Sequence, residues 1–509
     1  MSFFETLVAL LAVAVFLLQI TRRVHLPYPG ILAAAGVAVA MVPGAPNIPI
    51  DPHTALALFI APVLVDSAYD FPIGAARRML LPIFVYAVVA VLATTGIVVA
   101  IGTMTAGLPL AVAVTLGAIV APPDAAAATA VLSGLPVDRR VDTLLKGESL
   151  FNDATALLLF SAALNVHASG GLGSATVIKI AIAAPGGILF GIAFGYLLSR
   201  LRPLTENTVG GTLLQFVYAF ATWIIAERLH LSAVLATVSS AMTIATLATV
   251  NDSPRMRVHS FAVWTTVVFL LNVVAFLLMG LQAKSIVQTM SPDELTRAIS
   301  FATIVVISVI VCRIAIAFLF HAVVVYRHKR GGYLAPFQHG ETMLVGWAGM
   351  RGLVTLATAF ALPPDFPERN LVVLAAFAVV LATLVIQGGT LAPMIHLLQL
   401  GRQTAVRKET DVARAGLAEA AVARLASEEG PEAAALIAQY AKTAADPGGL
   451  SDDRRRGLLR AATLAQRQRL DELRDADLIG ATQYLELQED LDWQQLAAES
   501  EKERRITES

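Results

Sequence analysis

The sequence predicts an all-α polytopic membrane protein, with about 13 transmembrane helices followed by a polar helical tail. Three observations carry that reading. The first is composition: 56% of the 509 residues are hydrophobic and only 15% are charged, where a soluble globular chain is nearer a quarter charged. The second is a series of apolar runs long enough to cross a bilayer. The third is an alternation of basic residues in the loops between them.

The runs fall at 3–20, 28–46, 53–72, 79–102, 109–133, 147–166, 174–199, 209–228, 231–250, 259–283, 297–325, 339–363 and 368–398. The first, in "MSFFETLVALLAVAVFLLQITRRVHLP", lacks a basic leader and a small-residue cleavage motif, so it reads as a retained span. Loops after odd-numbered spans hold Arg22/Arg23, Arg77/Arg78, Arg139/Arg140/Lys146, Arg200/Arg202, Arg255/Arg257 and Arg327/Lys329/Arg330. The loops after even-numbered spans hold only Arg228, Lys284, Arg297 and Arg369. Positive charge stays inside, so the N-terminus is expected outside and the C-terminus in the cytoplasm of a multi-pass cell-membrane protein. Missing or inventing one span would break the alternation. So many crossings suggest a transporter, with paired inverted repeats plus an extra helix, although no strong internal repeat is visible.

The chain divides at residue 400. Residues 1–400 form the expected transmembrane domain. Residues 401–509 hold 16 Lys/Arg and 21 Asp/Glu, a net of −5. Strong helix formers broken by Gly430-Pro431, and leucines at 458, 459, 464, 470, 473 and 478, predict a small cytoplasmic helical tail. A net charge of −1 gives no support for a nucleic-acid partner. Cys312 is the single cysteine, which excludes an internal disulfide and a cysteine metal cluster. No cofactor motif and no convincing nucleophile–base pair suggests an enzyme; the partners expected are membrane lipid and small ions.

Ionisable residues inside the spans are few: Asp66, Asp70, Asp124, Glu148, Asp153, Lys179, Arg313, Glu341 and Arg351. Asp70, Lys179 and Glu341 lie near span ends. The deeper ones need partners or an aqueous path. In the sixth span, "GESLFNDATALLLF", Glu148 and Asn152 are four apart, as are Ser149 and Asp153, so they form one polar stripe on a helix. A carboxylate at mid-membrane costs about 3 kcal/mol unless compensated. A proton or a metal cation can compensate it, but hardly both together, and that exclusion is the physical basis of exchange. In the fifth span, "LGAIVAPPDAAAATAVL", Pro122 and Pro123 remove two backbone donors and break the helix beside Asp124. In the twelfth, "ETMLVGWAGMRGLVTLATAFALP", Gly346, Gly349 and Gly352 permit tight crossing or unwinding around Arg351. A buried guanidinium must meet an acid or several carbonyls. Glu148 is the acid expected to pair with Arg351, and Arg313 makes the same demand. Asn272 and Gln282 are the polar members of the tenth span.

These motifs together resemble bacterial Na⁺/H⁺ antiporters of the monovalent cation:proton antiporter-1 family, relatives of the animal sodium/proton exchangers. "GAIVAPPDAAAATAVL", "LLKGESLFNDATALLLF", "FLLNVVAFLLMGLQ" and "VGWAGMRGLVTLATAFALP" carry the resemblance, which covers about residues 5–400. The resemblance implies that Asp153, with Asn152 beside it, takes Na⁺ and H⁺ in turn. It implies that Asp124 joins the cation site, that Ser149 offers an oxygen, and that Glu148 pairs with Arg351. It places an acid on the third span, here Asp66, and makes the fifth and twelfth spans cross at their broken centres. It also implies a homodimer and, through the Asn-Asp pair, one-for-one electroneutral exchange. Two departures stand out: Pro123 replaces a common Thr, leaving a backbone carbonyl as ligand, and Asp66 replaces a commoner Glu. Na⁺, Li⁺ and K⁺ all stay open as the cation. A monovalent cation channel, or a transporter-like sensor with the tail as output, also stays open.

Overall fold

The computed structural model describes residues 8, 12, 15–16, 30–32, 35–36, 52–69, 71, 73–124, 128, 132, 137–169, 171, 173–201, 208–247, 254–400, 403–445, 450–475 and 481–498. Met1–Gly401 and Arg402–Glu508 make two compact units.

The first unit is helical throughout its described elements: α1 (Pro52–Tyr69), α2 (Arg77–Thr105), α3 (Leu110–Val120), α4 (Arg139–Ser169), α5 (Ser174–Leu201), α6 (Val209–Arg228), α7 (Ala233–Leu247), α8 (Pro254–Thr289), α9 (Pro292–His328), α10 (His339–Trp347), α11 (Leu353–Phe360) and α12 (Arg369–Leu397). Among the described residues, 6 helices are long and apolar enough to cross a membrane: those at 77–105, 139–168, 177–201, 258–278, 292–328 and 369–397. They coincide with expected spans four, six, seven, ten, eleven and thirteen. Shorter apolar helices lie in the third and ninth spans and in the first half of the fifth. The eighth span falls on α6, and the twelfth is divided between α10 and α11. Most of the first two spans lies outside the described residues.

Local chemistry sets these boundaries. Ser291 caps α9 by accepting from the Glu294 amide at 3.3 Å, while Glu294 accepts from the Ser291 amide at 2.8 Å. Pro292 occupies the first helical turn, where its missing N–H costs nothing. Glu341 likewise accepts from the Gln338 amide at 2.7 Å and caps α10, which explains a carboxylate at that span end. Gly187, Gly191 and Gly195 recur every fourth residue along α5. A Cβ at any of them would press on the backbone of residues 232–240, in and just before α7, so their absence lets the two helices touch. Two helices each contain one π turn, Val85–Val89 in α2 and Thr383–Gln387 in α12.

The second unit is also helical: α13 (Gln403–Leu425), α14 (Pro431–Ala445), α15 (Leu450–Asp475) and α16 (Ala481–Ala498). The first two pack together, as do the last two. Gly430 has φ +128° in the α13–α14 turn, a backbone conformation that suits glycine. Arg467 pairs with Asp492 across α15 and α16. Of the leucines that predicted a helical tail, Leu470 is buried, whereas Leu458, Leu459 and Leu464 are exposed.

Candidate functional site

The site begins where α3 stops. Ala121 is the last residue to donate into that helix, to the Gly117 carbonyl at 3.0 Å. Pro122 and Pro123 then have no N–H to give. The next donor, the Asp124 amide, turns away and bonds the Met350 carbonyl at 2.7 Å. Met350 lies in the second break, between α10 and α11. The two interruptions therefore meet and are stitched together by backbone. The interruptions of the fifth and twelfth spans thus lie against each other, as the resemblance implies.

Each break exposes helix ends, and buried side chains satisfy them. Arg351 donates through Nε to the Val120 carbonyl at 3.0 Å, through Nη2 to the Ala121 carbonyl at 3.2 Å, and through Nη1 to the Gly349 carbonyl. Val120 and Ala121 end α3, where the helix dipole is negative, so a guanidinium there is doubly favoured. The Arg351 amide donates to the Thr383 hydroxyl at 3.0 Å, which ties the break to the π turn of α12. Asp124 does the converse at the other end. Its Oδ2 accepts from the Leu353 amide at 3.2 Å and so sits on the positive N-terminus of α11. A Cβ on Gly352 would collide with that carboxylate, and one on Gly349 with the Arg313 side chain. Both glycines are needed for the close approach.

The sixth span, α4, lays its polar stripe against the crossing. The Asn152 amide nitrogen donates to the Pro123 carbonyl at 2.8 Å. A carbonyl can only accept, so this contact fixes which way the amide points. Oδ1 of Asn152 is left buried without a hydrogen-bond partner. An orphaned buried acceptor is costly, and a cation would relieve it. Asp153 is 6% exposed, and the Asp124 carboxylate is its electrostatic neighbour. Asp124 is only partly buried, so the pair is not sealed off on every side. Two carboxylates and an unpartnered amide oxygen thus gather beside Pro123, a donor set suited to a hard monovalent cation or to a proton. Ser149 is partly buried on α4, and Asp66 is partly buried on α1, which packs against α11; each has an interaction of its own.

One expected pairing is overturned. Glu148 does not bond Arg351; it pairs with Arg313, through Oε2 from Nη2 at 2.9 Å and through Oε1 from Nη1. The reason is satisfaction. Three carbonyls at the crossing already consume the Arg351 guanidinium, while Arg313 on α9 has no such helix end to serve. Glu148 and Arg313 are 1% and 3% exposed, so each needs the other. Arg313 also lies over the Tyr86 ring, 5.9 Å from its centroid, in the π turn of α2. Tyr86 and Thr383 were missed from the sequence; their signal was a polar atom within an otherwise apolar span. Lys179 is exposed, Asn272 and Cys312 are buried, and Asp70 and the Gln282 side chain lie outside what is described.

An apolar helical bundle whose two interruptions meet beside a pair of carboxylates has the architecture of a multi-pass membrane transporter. Comparison with known proteins makes the assignment specific. Residues 7–397 match the family described as sodium/hydrogen exchanger, transmembrane. The chain belongs to that family, and so to the monovalent cation:proton antiporters. It is 29% identical over 430 residues to an uncharacterised Na⁺/H⁺ exchanger of Mycobacterium tuberculosis, covering 82% of this chain and 78% of that one. It is 28% identical over 436 residues to a sodium, potassium, lithium and rubidium/H⁺ antiporter of Bacillus pumilus, covering 82% and 64% respectively. Its fold is similar to that of a sodium proton antiporter of Methanocaldococcus jannaschii, with a TM-score of 0.63 at 18% identity, over 78% of this chain and 99% of that one.

Proposed function

We propose that the protein exchanges Na⁺ for H⁺ across the cell membrane by alternating access, one ion for one proton, and that Li⁺ and K⁺ compete for the same site. The observation that carries this reading is the orphaned Asn152 oxygen beside Asp153 and Asp124 at the helix crossing. In the cation-loaded state, Na⁺ sheds water and takes oxygens from Asp153, Asp124 and Asn152, with Ser149 and the Pro123 carbonyl at hand. In the return state a proton neutralises Asp153. Either state is compensated and can move through a low-dielectric barrier; the empty, ionised site cannot, which suppresses leak. Relatives named for Na⁺ alone and for four alkali cations support the class and leave the preference to be measured.

Arg351 and the Glu148–Arg313 pair are scaffold in this scheme. They hold the crossing and the polar stripe in register but do not touch the ion. The working arrangement is a homodimer of chains with 13 spans, the N-terminus outside and residues 401–509 in the cytoplasm.

The test is proton flux in proteoliposomes after a Na⁺ gradient is imposed, with Li⁺ and K⁺ in parallel and membrane potential varied. Cation-driven flux that ignores the potential and vanishes in a folded Asp153→Asn variant is expected. Normal flux in that variant would overturn the site. Flux without proton coupling would favour a channel.

A further inference from the structure

Away from the crossing, two imidazoles meet between α9 and α10. His321 of α9 and His339 at the start of α10 have ring centroids 4.9 Å apart, with planes inclined at 59°. His321 is partly buried and His339 is exposed, so the pair opens to solvent. Neither residue takes part in the exchange site described above.

Hydrogen bonding gives His321 an oxygen partner at Nδ1. Oγ1 of Thr342 lies 3.1 Å from His321 Nδ1 and 3.0 Å from the Gln338 carbonyl. The hydroxyl of Thr342 has a single proton, and when that proton goes to the Gln338 carbonyl the oxygen faces His321 as an acceptor. In that arrangement Nδ1 of His321 carries its own proton and donates it to Thr342. That tautomer leaves the Nε2 lone pair free. A metal-binding histidine is normally held this way, with its second nitrogen donating to an oxygen.

The spacing fits as well. With metal–nitrogen bonds of ~2.0 Å and a ring centre ~1.2 Å beyond each nitrogen, two imidazoles at a tetrahedral angle place their centroids ~5 Å apart. The observed separation needs little adjustment. We propose that His321 and His339 form a two-imidazole site for a borderline-soft divalent cation such as Zn²⁺ or Ni²⁺. Imidazole nitrogen selects such ions over Na⁺, Mg²⁺ or Ca²⁺. Among the described residues no cluster of three or more His, Cys, Asp or Glu side chains stands ready to hold a metal. Water therefore completes the coordination, and binding is reversible.

The site has a mechanical consequence. α9 carries Arg313 two turns before His321, and α10 runs from His339 into the break that contains Arg351. A metal bridging the two rings ties together the two helices that frame the crossing. Occupancy should slow exchange without competing with Na⁺.

The experiment uses the full chain, purified without a polyhistidine tag, and titrates it calorimetrically with NiCl₂. One Ni²⁺ per chain is expected, bound at least tenfold more weakly by His321→Gln and by His339→Gln, with melting temperatures in EDTA unchanged. Thr342→Val, which keeps both imidazoles but releases Nδ1, should weaken binding about tenfold. Equal Ni²⁺ binding by wild type and the double His321→Gln/His339→Gln variant would overturn the site. Loss in one histidine variant only would overturn the two-imidazole arrangement. Binding is read without any transport, so it stands or falls apart from the exchange assignment. In proteoliposomes Ni²⁺ should slow wild-type flux reversibly and spare both variants; bound Ni²⁺ with unchanged wild-type flux would overturn the mechanical coupling.

Discussion

Arg313 grips Glu148 with both terminal guanidinium nitrogens, across 165 positions of sequence and with both side chains almost wholly buried. A buried pair like this adds little net stability over an apolar one, but halving it leaves a bare charge in low dielectric. Arg313→Ala and Glu148→Ala should therefore each cost about 3–5 kcal/mol. The double variant Glu148→Leu/Arg313→Met should recover most of that loss. Thermal melting in detergent checks it; additive losses in the double variant would contradict the pairing.

Arg351 makes a different prediction because its partners are carbonyls. Removing it strands the ends of α3 and of the α10 break but leaves Glu148 paired. Arg351→Ala should lower the melting temperature strongly. Arg351→Lys, with one charged nitrogen where three donors are used, should recover only part of it. A variant that melts normally and changes only transport would show that Arg351 acts on the ion instead.

Most of the membrane fold was legible because bilayer thickness and loop charge act on whole segments. Among the described residues each of spans three to thirteen contains at least one helix. The breaks were legible too, since Pro122-Pro123 remove two backbone donors and the glycines around Arg351 permit unwinding. The partner of Arg351 was not. Glu148 and three backbone carbonyls satisfy a guanidinium equally well on paper, and only the helix crossing decides between them. The same holds for Asn152: its place beside Asp153 was plain, but its bond to the Pro123 carbonyl depends on how α4 meets the break. The π turns that place Tyr86 and Thr383 leave no mark on hydropathy.

Gly352 faces Asp124 so closely that a methyl group would collide with the carboxylate. Gly352→Ala should leave a protein that inserts and folds but exchanges at least tenfold more slowly, because Asp124 must move off the N-terminus of α11. Gly74, whose Cβ would meet nothing within 4 Å, is the control and should tolerate alanine. Flux in proteoliposomes compares them.

In the proposed cation site both ends of the Asn152 amide have a role, the nitrogen on the Pro123 carbonyl and the oxygen toward the ion. Asn152→Ala removes the tether to Pro123 and the orphaned oxygen together. Asn152→Asp keeps an oxygen toward the ion and loses the donor to Pro123. The alanine variant should raise the half-saturating Na⁺ concentration about tenfold, the order of one lost charge-assisted contact. The aspartate variant adds a third carboxylate beside Asp153 and Asp124 and should make flux sensitive to membrane potential. Potential-insensitive flux in Asn152→Asp would mean that the new acid keeps its proton.

In the proposed exchange, competition between Na⁺ and H⁺ at Asp153 sets the pH dependence. Na⁺ binds the carboxylate and H⁺ removes it, so acidification must weaken apparent Na⁺ affinity, and alkalinisation must restore it until the acid is ionised throughout. For one proton displaced per cation, the half-saturating Na⁺ concentration should rise about tenfold for each unit of pH on the acidic side, because each unit is a tenfold change in proton activity. Two protons would steepen that to about a hundredfold and would bring Asp124 into the count. Measuring initial rates over a range of Na⁺ concentrations at each of several pH values gives the slope directly. A flat dependence would remove Asp153 from the role of shared site.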